Sequence, residues 1–136
     1  MREHYMNDSK EFNLWIDFAK NDLLVAKELN LEKHFVYRAI LTHSQQAIEK
    51  YLKAFLLFHK NTSIRTHDLL ILCKISEKYD ETFLAFEDDL AWVSVNYMQS
   101  RYPDNFEDID LEDAKRALDI ATKIEIFILP KFGLKK

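Results

Sequence analysis

Two segments of the chain place chemistry-bearing side chains close together. The first is Arg101-Tyr102-Pro103-Asp104. Counted at roughly 100° per residue, Arg101 falls on one line with Phe83, Leu90 and Tyr97, the middle of an apolar stripe. A guanidinium cannot stay unpaired in an apolar core. Arg101 is therefore expected to reach an acidic partner, to face a wet cleft at the bundle end, or to cap the carbonyls of its own helix. The last role suits a cation at a helix C-terminus, with Asp104 at hand to pair with it. Arg101, Tyr97, Tyr102 and Asp104 are candidate residues for binding a ligand or phosphate.

The second segment runs from Thr42 to Ala54. His43, Gln46 and Lys50 share one side of a helix there, at spacings of three and four, along the border of the apolar stripe. Such a set could bind an anion or phosphate, or form a polar border held by hydrogen bonds between neighbouring turns. On the opposite face Glu49 and Lys53 form an i, i+4 pair interleaved with Leu52 and Leu56. Leucines exposed among charges suit a dimer face, so Glu49, Leu52, Lys53 and Leu56 are its candidates.

Other patterns point away from chemistry. The five histidines include no pair at helical metal-binding spacing, and no metal site or cofactor is expected. His67 follows a capping residue and is expected to decorate a helix start. Asp104, Glu107, Asp108 and Asp110 lack the central glycine of a calcium-binding loop, which predicts a solvated acidic loop. Ser44 and Ser100 have no base partner in the sequence to activate them. The single cysteine, Cys73, precludes an intramolecular disulfide and sits in an apolar run, as a small buried hydrophobe does. The single glycine, Gly133, excludes a phosphate-cradling P-loop and a dinucleotide-binding turn, which need several. A net charge of −4 argues against a basic coat for nucleic acid, while leaving room for a local basic patch. No apolar run approaches the roughly 20 residues of a membrane span. The polar start Met1-Arg2-Glu3-His4-Tyr5 does not read as a secretion signal, so a cytoplasmic location is expected.

Five helices are needed to position these residues. The first is expected to start at Asp8, with Glu11 completing a capping box, and to bury Phe12, Trp15, Ile16, Ala19, Leu23 and Ala26. The second is expected over residues 33–59; its stretch 51–58 is apolar almost all round, as in a helix central to its bundle or shared with a partner. Thr66 can cap a third, carrying Leu69, Leu72, Ser76 and Tyr79. The fourth starts near Asp80 and ends around Arg101, because Pro103 biases Tyr102 away from helix. Asp110 and Asp113 open the fifth, whose stripe is Ala114, Ala117, Leu118, Ala121, Ile124 and Ile128. Residues 124–129 could pass for a strand, but their register with that stripe predicts helix. The whole, residues 1–136, reads as one all-α domain, an up-and-down bundle of about five helices.

Four segments in this order resemble the HEPN domain. They are Ala19-x-x-Asp22-Leu23-x-x-Ala26, Gln45-Gln46-Ala47-x-Glu49-Lys50-x-x-Lys53-Ala54, Thr66-His67-Asp68-Leu69, and Tyr97-x-x-x-Arg101-Tyr102-Pro103-Asp104, with an Ala-rich last helix after them. The resemblance covers residues from about Phe18 to Phe127. It implies an up-and-down bundle that dimerises, with a polar cleft near the dimer seam. Many small bacterial and archaeal members act beside a minimal nucleotidyltransferase as a toxin–antitoxin-like pair. Active members are metal-independent ribonucleases in which an Arg, followed four to six residues later by a His, stabilises phosphate charge while the His moves protons. Here Phe106, Glu107 and Asp108 stand where that His would fall, and a tyrosine that the partner modifies is also unmatched. The resemblance thus implies a module that binds a nucleotide, RNA or a nucleotidyltransferase subunit around Arg101. Two alternatives remain: a ribonuclease in which His43 or His67 replaces the missing group, and a purely structural helper dimer.

Overall fold

In a computed structural model the described residues are 2–29, 36–62, 64–102 and 109–133, with side chains from residue 11 onward. They form α1 (Arg2–Glu28), α2 (Tyr37–Phe58), α3 (Leu69–Ser76), a 3₁₀ helix (Glu81–Phe86) leading into α4 (Glu87–Ser100), and α5 (Leu111–Ile128) with a short 3₁₀ extension (Leu129–Phe132). No strand occurs among the described residues, so the fold is an all-α bundle. Residues 124–128 continue α5, as the register of its stripe predicts.

The ends of the elements follow local chemistry, with three corrections. α1 runs through Asp8, where a start was expected; residues 2–7 contain no Gly or Pro to stop it. Asp68, not Thr66, is the N-cap of α3: its carboxylate accepts the amides of Leu70 and Ile71, while Thr66 Oγ1 accepts the Asp68 amide. The fourth helix opens as a 3₁₀ segment capped by Asp80, whose carboxylate accepts the Thr82 amide at 3.0 Å. At α5 the expected cap is a full capping box between Asp110 and Asp113.

α2 is the central element and packs against α1, α3, α4 and α5. That placement overturns the expectation of exposed leucines on a dimer face. Leu52 and Leu56 are 0 % and 1 % exposed, inside the core, because the all-round apolar stretch is covered by this chain's own helices. Burying each such side chain contributes roughly 1.5–3 kcal/mol. The intervening Glu49 and Lys53 are mostly covered too: Lys53 Nζ donates to Glu49 Oε2 at 2.9 Å and lies 5.6 Å from the Trp15 ring of α1. Buried polar contacts fix the register of the outer helices. The Tyr51 hydroxyl donates to Glu125 across α2 and α5, and burial together with that carboxylate pushes the phenol's pKa far up. Cys73 is buried, its S–H directed to the Phe83 carbonyl, and burial pushes its thiol to about 12, the behaviour of an inert hydrophobe. No described helix is long and apolar enough to cross a membrane.

Candidate functional site

α4 carries its apolar stripe from Leu90 and Val93, both wholly buried, to Tyr97, which is half-buried, and then runs past the edge of the core. Arg101 is the C-cap and is exposed. Arg101 keeps the line of Leu90 and Tyr97, but the expectation that it is buried there fails because the last turn of α4 has no core left to cover it. Of the three roles open to its guanidinium, the wet cleft is the one observed. Its Cζ lies 5.5 Å from the Tyr97 ring centroid, and no described carboxylate pairs with it.

The cleft has a volume of about 580 Å³ and is walled by α2, the segment 66–68 and the last turns of α4. Gln46, Glu49 and Lys50 line it from α2, His67 from the connecting segment, and Tyr97 and Arg101 from α4. The segment 66–68 is held from both sides. Gln45, fully buried, donates Nε2 to the His67 carbonyl at 3.1 Å, and the Leu69 amide donates to Ser94 Oγ at 3.2 Å. These two bonds place the His67 side chain over α2, where its Nδ1 donates to Glu49 Oε2 at 2.7 Å. The same oxygen accepts from Lys53. Because a carboxylate only accepts, Nδ1 carries the proton in the neutral ring, and Nε2 is left as the acceptor on a side chain that is 78 % exposed.

Behind the cleft, Asp22 of α1 is 6 % exposed and takes two donors from α2. His43 Nδ1 donates to Oδ1 at 3.1 Å, and Lys50 Nζ donates to Oδ2. The Phe18 ring lies 5.8 Å from the Lys50 ammonium. The expected row of His43, Gln46 and Lys50 is thus divided. Gln46 and Lys50 reach the cleft, while His43 joins Lys50 on Asp22 instead of lining it. Tyr102 is exposed and does not line the cleft; Asp104 lies outside the described residues, as do Phe106, Glu107 and Asp108. Glu49 lines the cleft, whereas its expected companion Lys53 only pairs with it from behind. Ser44 Oγ is buried without a hydrogen-bond partner and Ser100 Oγ donates to the Tyr97 carbonyl, so neither meets a base. No group of three or more His, Cys, Asp or Glu among the described residues is arranged to hold a metal.

The charges of the cleft can be counted from these contacts. Lys50 is matched by Asp22, and Glu49 by Lys53 with His67 beside it. The Asp68 carboxylate is engaged by the amides that open α3. Arg101 is the one cation of the cleft wall without a carboxylate partner among the described residues. The role of Asp22 and the pairing of His67, named from the sequence only as a substitute acid–base group, were not foreseen. Asp22 offered a signal, a lone acid beside Ala19, Leu23 and Ala26 on an apolar stripe, since a buried acid requires partners. The bond from His67 to Glu49 offered none, because the two are 18 residues apart in sequence.

Comparison with known proteins gives two results. A family model described as the HEPN domain matches residues 12–129. A protein named "Putative toxin MJ1304", from Methanocaldococcus jannaschii, is 28 % identical over 146 aligned positions, which cover 93 % of this chain and 94 % of that one. No solved structure matches.

Proposed function

The chain belongs to the HEPN domain family, and on that premise we propose that it is the binding component of a toxin–antitoxin-like pair, holding the phosphate of a nucleotide or RNA at Arg101. One observation carries this reading: every other charged group on the cleft wall is matched within the fold, and the Arg101 guanidinium is exposed above Tyr97 with no carboxylate partner among the described residues. A guanidinium offers planar, paired donors that fit a phosphate. The similarity to a protein named as a toxin supports the toxin–antitoxin setting. A minimal nucleotidyltransferase is the proposed partner and a homodimer the proposed assembly, both from the family resemblance. The face for that dimer is not the Leu52 and Leu56 row, which this chain's own helices bury.

Binding of a labelled single-stranded RNA and of AMP, measured with and without Arg101→Ala, tests the reading. The wild type is expected to bind at least one of them and the variant to lose it. Equal binding by the two proteins would defeat the assignment. Sedimentation at micromolar concentration tests the dimer, which a monomer there would refute.

A second reading has one observation in its favour. His67 shares the cleft with Arg101 and has its tautomer set by Glu49, so Nε2 is available to take a proton from a bound hydroxyl. It would supply the acid–base group that the sequence lacks after Arg101. Cleavage of RNA that is lost in both Arg101→Ala and His67→Ala would favour this reading over simple binding.

A further inference from the structure

We propose that Asp22, which does not line the cleft, is a positioning residue that sets which phosphates the cleft accepts, acting through Lys50. The inference rests on the reading that phosphate binds at Arg101. Sequence alone counts two cations facing the site, Lys50 and Arg101, and two cations would suit a polyphosphate. The geometry removes one of them. Lys50 enters the cleft already bonded to a carboxylate that is 6 % exposed, and a buried acid left without its cation is strongly unfavourable. Asp22 therefore keeps Lys50 as half of a neutral pair. His43 is the other group on Asp22, and Phe18 covers the Lys50 ammonium from α1.

The rest of the wall adds no positive charge. Glu49 is balanced by Lys53, and Asp68 brings a further carboxylate to the rim. Among the described residues one uncompensated guanidinium remains, which matches a ligand carrying a single negative charge at one phosphate. That is a phosphodiester linkage. A triphosphate chain would bring several charges beside the Asp68 carboxylate with only Arg101 to receive them. Asp22 is the residue that makes the difference, because without it Lys50 would be a second free cation.

The test compares a dinucleoside monophosphate, ApA, with metal-free ATP by titration calorimetry on the full chain. Wild type is expected to prefer ApA by about tenfold or more, the scale of one additional close charge contact partly screened by water. Asp22→Asn releases Lys50 and is expected to tighten ATP binding by about tenfold, a gain that loss of packing cannot produce. Lys50→Gln is expected to weaken both ligands. The double variant Asp22→Asn/Lys50→Gln exchanges a neutral pair for a neutral pair, keeps the fold, and is expected to return to wild-type preference within about twofold. If the double variant loses ApA as Arg101→Ala does, Lys50 is a direct phosphate ligand and the inference is overturned. It is also overturned if folded Asp22→Asn binds ATP no better while binding still depends on Arg101. A wild type that binds neither probe removes the Arg101 reading itself and the inference with it.

Discussion

Near the C-terminus Lys131 lies 4.2 Å from the Phe127 ring centroid and donates to Asp80, while at the end of α4 Arg101 lies 5.5 Å from the Tyr97 ring and meets no described carboxylate. Both are cations resting on an aromatic face. The first is closed: its carboxylate also caps the 3₁₀ segment through Thr82, so ring, cation and acid tie the start of that segment to the extension after α5. The second is open on the side facing the cleft. The difference separates a charge used to hold the fold together from one kept for something outside it. Neither composition nor helix position distinguishes them; the presence of a matched acid does.

Changing each cation and its support in turn separates the two roles. The largest effect is expected on the helix that supports both regions: Leu52→Ala should cost about 2–5 kcal/mol in denaturant unfolding, because a wholly buried leucine leaves a cavity. A change under 1 kcal/mol would mean that this face of α2 is exposed after all. Next comes Arg101→Ala, expected to weaken phosphate-ligand binding by about 1.5–3 kcal/mol while leaving the unfolding midpoint unchanged. Lys131→Met should do the reverse, lowering stability by about 1 kcal/mol with ligand affinity intact. If Lys131→Met weakened binding and Arg101→Ala unfolded the protein, the contrast would be inverted.

The smallest effect is a pH dependence. The Lys131 ammonium, with help from Thr82, holds the Asp80 carboxyl at about 2, below its ordinary 3.8. A depressed carboxylate contributes stability above its unfolded value, and that contribution is lost as pH falls through the folded one. The contribution should therefore be complete above about pH 4 and gone below about pH 2, and on the order of 1 kcal/mol because the pair is partly exposed. Acid unfolding curves of wild type and Lys131→Met should converge across that window.

Periodicity made most of the bundle legible. The α5 stripe, its capping box and the central place of α2 follow from which residues are apolar and how they are spaced. The same reasoning misplaced Leu52 and Leu56, since charged neighbours on one helix look like solvent until Trp15 covers them from another. It also put Arg101 in the core, because a helical stripe does not record where along the helix the covering elements stop. Of the site, Gln46 and Lys50 were legible as a polar border of an apolar stripe, and Arg101 as a cation in line with one. The pairing that decides what each charge can do was not, because Asp22 to Lys50 and Glu49 to His67 join residues 28 and 18 apart. Such matches depend on how helices dock, which no local spacing records.

The central position of α2 also governs how the chain comes to be folded. α1 can close over it as soon as both have been made, but the partner on its other side, α5, is made only after α3 and α4. Until residue 128 has left the ribosome, Tyr51, Phe55 and their neighbours lack that cover, and an emerging chain is open to association with others in that interval. A stop codon placed before α5 would therefore make that state permanent, giving an insoluble chain and not a smaller bundle.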